Sequence, residues 1–161
     1  MQIEARLEAM GVVLPAEAPR PRAGVAFRFS RVRVRGDRAY VAGHGPYVAP
    51  DSDFPRRGKV GAELTLEQGY EAARLTGVSI LASLKRELGD LDRVTAWLRV
   101  FGMVNSAPGF ERQSEVINGF TDLVMDAWGD EAGAHSRCAV GMAELPFGVP
   151  VEIEAEVEIA V

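Results

Sequence analysis

The sequence predicts an α+β domain whose elements follow the order ββαβαββ. Three observations carry that expectation. Thr65-Leu66-Glu67-Gln68 has the spacing of a capping box and opens an apolar stripe at Leu66, Tyr70, Ala73, Gly77, Leu81, Leu84 and Leu88, the period of a helix with one buried face. Residues 94–104 are rich in Val, Trp and Phe and alternate in polarity, as a strand does. Near the C-terminal end Val151, Ile153, Ala155, Val157 and Ile159 alternate with Glu152, Glu154, Glu156 and Glu158, so one strand face belongs to the core and the other is acidic.

The other elements fit around these. Ile3, Leu7 and Met10 share a helical face that ends at Gly11, predicting a short helix over 3–10. Residues 14–24 hold Pro15, Pro19 and Pro21, which fix φ and remove backbone donors, so this stretch reads as an extended arm and not as a link between domains. Alternation over 25–34, the turn residues Arg35-Gly36-Asp37-Arg38 and a second apolar run at 39–42 predict a hairpin. The glycine- and proline-broken segment 43–64 is too long for an ordinary connection and is a candidate lid over a site. Ser106 is the expected cap of a second helix over 106–128, with Val116, Phe120, Leu123 and Ala127 on its buried face and Gly129 behind it. Two strands close the chain, 137–145 and 151–159, joined through Leu145-Pro146-Phe147-Gly148-Val149-Pro150. So short a connection sends the strands in opposite directions and places Arg137 and Glu152 on the order of 20 Å apart within one chain.

A chain of 161 residues is long enough for one core and short of the length at which cores divide, so residues 1–161 are read as a single domain with an N-terminal helix and arm over 1–24. The net charge of −5 argues against the basic face that phosphate neutralisation on a nucleic acid requires. The single cysteine, Cys138, excludes an intrachain disulfide. The first residues carry Glu4 and Glu8 without a basic start or an apolar leader, and no run approaches the roughly 18 apolar residues of a membrane span. The expectation is a soluble cytoplasmic protein.

Strong chemical motifs are absent. Gly58-Lys59 is followed by Val60 and lacks the glycine spacing of a phosphate loop. His44, His135 and Cys138 are not at metal-ligand spacing. No Ser-His-Asp arrangement is visible, and Cys138 alone reads as a small hydrophobe. On spacing alone Arg137 is a solvated arginine and Glu152 one of four equivalent glutamates.

The block Ser136-Arg137-Cys138-Ala139-Val140-Gly141-Met142-Ala143-Glu144-Leu145-Pro146, followed by Val151-Glu152-Ile153-Glu154-Ala155, resembles the C-terminal signature of the YjgF/RidA family, also known as reactive-intermediate deaminases and as endoribonuclease L-PSP. Ala42-Gly43-His44-Gly45-Pro46, Gly69-Tyr70-Glu71-Ala72-Ala73-Arg74 and Val116-Ile117-Asn118-Gly119 extend the resemblance over nearly the whole chain from about residue 25, while the first helix and arm are similar to those of a longer branch of the family. The resemblance implies a chorismate-mutase-like fold with two helices on one mixed sheet, a homotrimer, and a small-molecule site at each subunit interface. Arg137 then holds the carboxylate of a 2-imino acid, its planar fork suiting that group. Glu152 places the water that hydrolyses the C=N bond to a 2-oxo acid and ammonia, and Asn118 lies near the ligand. Phe29 stands where the studied deaminases have a tyrosine, Ala139 where they have a cysteine, and Ala42-Gly43 where they have serine-glycine. The pocket these residues line is correspondingly more apolar.

No metal or cofactor is implied. The partners implied are a small carboxylate-bearing metabolite and copies of the chain itself, with no nucleic acid and no membrane. A second reading keeps the arginine in a non-catalytic binding or interaction module of the same fold. A third, the endoribonuclease label, is opposed by the acidic charge.

Overall fold

The computed structural model describes residues 1–16, 27–47 and 57–161, and these residues form three α-helices and five strands. The helices are α1 (Gln2–Ala9), α2 (Leu66–Leu88) and α3 (Gln113–Ala132); the strands are β1 (Val32–Arg35), β2 (Arg38–His44), β3 (Val94–Asn105), β4 (Ser136–Met142) and β5 (Val151–Ile159). The strands make one mixed sheet in the order β1-β2-β5-β3-β4. Only β3 and β4 run parallel; the other neighbours are antiparallel.

The helices cover one face of this sheet. Val41, Val100, Val104, Ile153 and Val157 join the stripes of α2 and α3 in a single buried cluster, whereas Tyr40, Arg99 and Glu158, directed to the other face, are exposed. The alternation of β5 therefore sorts as the sequence predicts, apolar side chains to the helices and glutamates away from them. Trp97 fixes the centre of the covered face, meeting Phe120 and Trp128 of α3 edge-on with ring centroids 5.5 Å away in each case.

The capping box of α2 is present: Thr65 Oγ1 accepts from the Gln68 amide at 3.2 Å and Gln68 Oε1 accepts from the Thr65 amide at 2.9 Å. Its partner α3 approaches closely because of Gly119. A Cβ at this position would lie 2.0 Å from the Tyr70 carbonyl oxygen, closer than any side chain allows, so only glycine lets the two helices meet here. The Tyr70 hydroxyl then donates to Asp122 at 2.7 Å, an interaction that pushes the phenol up to about 12.

Several expectations need correction. Ser106 does not cap α3. Pro108 and Gly109 (φ 79°) instead make a turn closed by the Phe110 amide on the Ala107 carbonyl at 3.1 Å, a proline-glycine turn that delays the helix to Gln113. At its other end α3 is interrupted at Gly129 as expected and then continues one turn to Ala132. The first strand is β1, Val32–Arg35, and its contact with β2 extends one residue further, where the Ala42 amide donates to the Arg31 carbonyl at 2.9 Å; residues 17–26 of the arm and hairpin lie outside the described residues.

The short helix α1, expected over 3–10, packs onto the rest of the fold. Ile3 and Leu7 are buried in the main core, Asp92 accepts from the amides of Gln2 and Ile3 at 2.7 and 2.8 Å, and Arg6 donates to the Ala127 carbonyl at 2.9 Å. Three helices, not two, thus pack on the sheet. The lid candidate 43–64 falls partly outside the described residues, over 48–56, and its later part is fastened: Lys59 Nζ donates to Asn105 Oδ1 at 2.7 Å and to the Ala143 carbonyl. Among the described residues no helix is long and apolar enough to cross a membrane.

His44, at the bulge of β2, is buried with Nδ1 on the Ala42 carbonyl at 2.6 Å and Nε2 on Ser83 Oγ at 2.9 Å. The carbonyl can only accept, so Nδ1 carries the proton and neutral Nε2 accepts from the serine. Burial pulls its pKa down to about 4. An unfolded chain takes up a proton at the ordinary value near 6.5 that the folded chain refuses, so this contribution is complete above about pH 6.5 and is lost as pH falls toward 4. We expect unfolding stability to drop by about 2 kcal/mol from this group between pH 7.5 and 5. Urea titrations of the wild type and His44→Gln at both pH values check it, the variant showing the smaller change.

Candidate functional site

The parallel pairing of β4 with β3 aims Arg137 at the helices. Arg137 lies beside Val100, Ala139 beside Gly102 and Gly141 beside Val104, and these β3 residues face α3, where Ile117 covers Gly102. One face of α3 meets the guanidinium with polar groups spaced one turn apart, Ser114, Asn118 and Thr121. Nη1 donates to Asn118 Oδ1 and Thr121 Oγ1, both at 2.9 Å; Nη2 donates to Ser114 Oγ at 2.8 Å and to its carbonyl at 3.1 Å.

The chain of bonds continues through His135, whose Nδ1 lies 2.7 Å from the Gly133 carbonyl and whose Nε2 lies 3.1 Å from Thr121 Oγ1. Nδ1 therefore carries the proton, and Thr121 donates to Nε2 while accepting from Arg137. Burial, and then the Arg137 charge, push the His135 pKa down, which keeps the ring neutral and this direction fixed. The guanidinium is held in one orientation at the edge strand of the sheet. Ser114 is exposed, so the Nη2 contacts are the ones a ligand carboxylate can replace at least cost.

Glu152 belongs to a different niche. It lies beside Met103 on the face without helices, in a cavity of about 190 Å³ whose lining includes Phe27, Phe29, Arg31, Gly43, Tyr47 and Phe147. Gly43 makes room for the carboxylate, since a Cβ there would sit 2.1 Å from Glu152 Oε1. Burial first, then the neighbouring Glu154, raise the Glu152 pKa, moving this carboxyl toward the range in which it can both accept and release a proton near neutrality. Two of the other glutamates on this strand face are engaged within the chain, Glu156 by Arg38 at 2.6 Å and Glu158 by the Thr95 hydroxyl at 2.8 Å.

The walls of the cavity are aromatic. Phe27 packs against Phe29 with centroids 5.4 Å apart and edge-on against Phe147 at 6.4 Å, and the Arg31 guanidinium lies 5.6 Å from the Phe27 centroid. Phe147 has φ 60°, the one positive φ on a non-glycine residue among those described. A ring held in that backbone region carries strain of about 1–3 kcal/mol, and such strain gathers at ligand sites.

The six residues singled out by sequence thus divide into two groups. Phe29, Gly43 and Glu152 share one cavity; Arg137 and Asn118 bond to each other, with Ala139 next along β4 on the same face. The strands β4 and β5 run in opposite directions as expected but do not touch, because β3 lies between them. Arg137 is level with Val100 and Glu152 with Met103, so two strand spacings and three residues of rise put their Cα atoms on the order of 14 Å apart, less than a shared hairpin gives. They also face opposite sides of the sheet.

Sequence reasoning missed Phe27, Arg31, Tyr47 and Phe147 in the first niche and Ser114, Thr121 and His135 in the second. The helical spacing of Ser114, Asn118 and Thr121 is a signal that could have found the last group. Tyr47 and Phe147 lie in the two connections that the sequence marks as irregular, where no periodicity points to them.

Known proteins match this architecture along its length. Protein TCP17 of Trypanosoma cruzi is 39% identical over 158 residues, covering 98% of this chain and 94% of that protein. The crystal structure of Atu1372 from Agrobacterium tumefaciens, a protein of unknown function, superposes with a TM-score of 0.84 at 37% identity over 99% of this chain and 93% of that one. A Shewanella oneidensis structure described as a putative endoribonuclease gives a TM-score of 0.84 at 26% identity, covering 99% of this chain and 100% of that one. With the family profile described as "YjgF/chorismate mutase-like, putative endoribonuclease" matching residues 4–150, and with the fold and signature residues in place, the chain belongs to the YjgF/chorismate mutase-like family.

Proposed function

We propose that the protein hydrolyses small 2-imino or enamine acids to 2-oxo acids and ammonia, at sites formed where Arg137 of one chain faces Glu152 of the next in a homotrimer. The observation that supports this most is the division of the site: a positioned guanidinium and a carboxyl of raised pKa each occupy a built niche, and the sheet keeps them apart within one chain. Exposed Phe27 and Phe29 at the rim of the Glu152 cavity, 37% and 55% accessible, are the kind of apolar surface that a second subunit covers.

In this reading Arg137 takes the substrate carboxylate on Nη2 in place of Ser114, and the aromatic walls hold an apolar side chain. Glu152 orients a water toward the imine carbon and takes its proton as the O–C bond forms. The C=N π pair moves to nitrogen, which is protonated. The carbinolamine then loses ammonia as the C–N bond breaks and the hydroxyl proton leaves, giving the 2-oxo acid. The second reading, a non-catalytic carboxylate binder, draws support from the in-chain bonds of Arg137, which describe a binding residue as well as a catalytic one.

The two readings separate in an assay that generates imines from several amino acids in situ and follows their disappearance with and without protein. Faster loss identifies the hydrolase; saturable binding of 2-oxo acids without turnover identifies the binder. Arg137→Ala is expected to weaken 2-oxo acid binding roughly tenfold to a hundredfold, the worth of charge-assisted bonds, and Arg137→Lys to restore only part of it. Isothermal titration reads both, and wild-type affinity in Arg137→Ala would show that the anchor lies elsewhere.

Light scattering is expected to give three chain masses of 17.4 kDa. Trimers refolded from a mixture of Arg137→Ala and Glu152→Gln chains should regain activity that neither parent has, because some interfaces then carry both wild-type residues. Verified mixed trimers that stay inactive would sink the two-chain site.

A further inference from the structure

The Glu152 cavity has apolar walls and few polar groups. Among the described residues lining it, Phe27, Phe29, Pro146, Phe147 and Val149 offer no hydrogen bond from a side chain, Arg31 only donates, ionised Glu152 only accepts, and Tyr47 carries the one hydroxyl. A site that holds a polar reacting group in such surroundings needs a neutral donor beside its acid, since an unpaired polar atom of the ligand is penalised there.

Tyr47 is placed for this by more than its ring. Its amide donates to the Gly45 carbonyl at 2.8 Å, closing a tight turn around Pro46, and its own carbonyl accepts from Ser79 Oγ of α2. Ser79 is buried, so the backbone of residue 47 is pinned to the helix layer where the chain leaves β2. The ring packs against the Leu145 and Val149 pair. Phe29 lines the same cavity without a hydroxyl, so the phenyl and the phenol share the space from two elements.

We infer that Tyr47 supplies the hydroxyl of this site, donating a hydrogen bond to the ligand or to the water that Glu152 orients. The role deepens the proposed hydrolysis and rests on that reading for the reaction, while the placement of the phenol rests on the cavity alone. Burial, the largest influence, and the charge of Glu152 both raise the Tyr47 pKa, with Arg31 opposing. The group is therefore a protonated donor at neutral pH. Its hydrogen bond transfers no electrons and breaks no bond; it positions what the carboxylate acts on.

The test compares wild type with Tyr47→Phe, Phe29→Tyr and the double variant, all as full-length chains. The readouts are kcat and KM for imines generated in situ, the affinity for 2-oxobutanoate by calorimetry, and the melting temperature. Tyr47→Phe is expected to lower kcat/KM about tenfold or more, the size of one lost site hydrogen bond, and to weaken 2-oxobutanoate. Phe29→Tyr added to Tyr47→Phe is expected to recover most of the loss, because the second ring delivers a hydroxyl into the same cavity; a packing role for Tyr47 gives no such rescue.

Turnover in wild type that is unchanged in Tyr47→Phe, or a loss that Phe29→Tyr leaves untouched, overturns the Tyr47 role and leaves the hydrolase reading standing. Binding of 2-oxobutanoate without turnover removes the hydrolase reading, and a weaker Kd in Tyr47→Phe then still supports the hydroxyl. A wild type that neither turns over imines nor binds 2-oxobutanoate removes both.

Discussion

The setting of Arg137 depends on how closely two helices can approach. Because residue 119 has no side chain, α3 comes down onto the Tyr70 carbonyl of α2, and Tyr70 then reaches across to Asp122. That contact fixes the rotation of α3 as well as its height. With Phe120 and Ile117 turned into the core, the residues one position away, Asn118 and Thr121, have to point along the sheet toward its β4 edge. The guanidinium of Arg137 meets them there, so its orientation is set by how the two helices pack on each other.

The sheet imposes the second constraint. Helices cover one face only, and the side-chain alternation of β3, β4 and β5 sends Arg137 to the covered face and Glu152 to the open one. The acid thereby gains aromatic walls and a glycine floor, and its burial there, with Glu154 beside it, raises its pKa. The arginine gains a fixed hydrogen-bond frame at an edge. Both groups are partly withdrawn from water, the carboxyl among aromatic rings and the guanidinium among polar groups of α3, each on its own side of the sheet.

Much of this was legible in the sequence where the cause is local. The capping box at Thr65, the stripe of α2 and the alternation of β5 depend on residues a few positions apart, and each element lies where its pattern places it. The order of strands depends on pairings between distant segments, and nothing in residues 137–159 signals that β3 will separate β4 from β5. Ser106 looked like a cap because its type suits one, but the turn made by Pro108 and Gly109 decides where α3 starts. At the site, Arg137, Asn118 and Glu152 stood out only through family resemblance. Their companions Tyr47 and Phe147 come from irregular segments whose geometry is set by tertiary contacts, among them the bond from Ser79 to the Tyr47 carbonyl.

Phe147 has a consequence for anyone who would make this protein more robust. Its backbone conformation is one that glycine or asparagine adopts with little strain, so a search for stabilising replacements ranks position 147 high. The residue is also a wall of the Glu152 cavity, its ring set edge-on to Phe27. Relaxing the backbone and keeping the wall are incompatible demands on a single amino acid. The connection between the last two strands is therefore a place where a gain in heat tolerance and the loss of an aromatic cavity wall come from the same substitution, and a library selected for thermal survival alone should drift away from phenylalanine there.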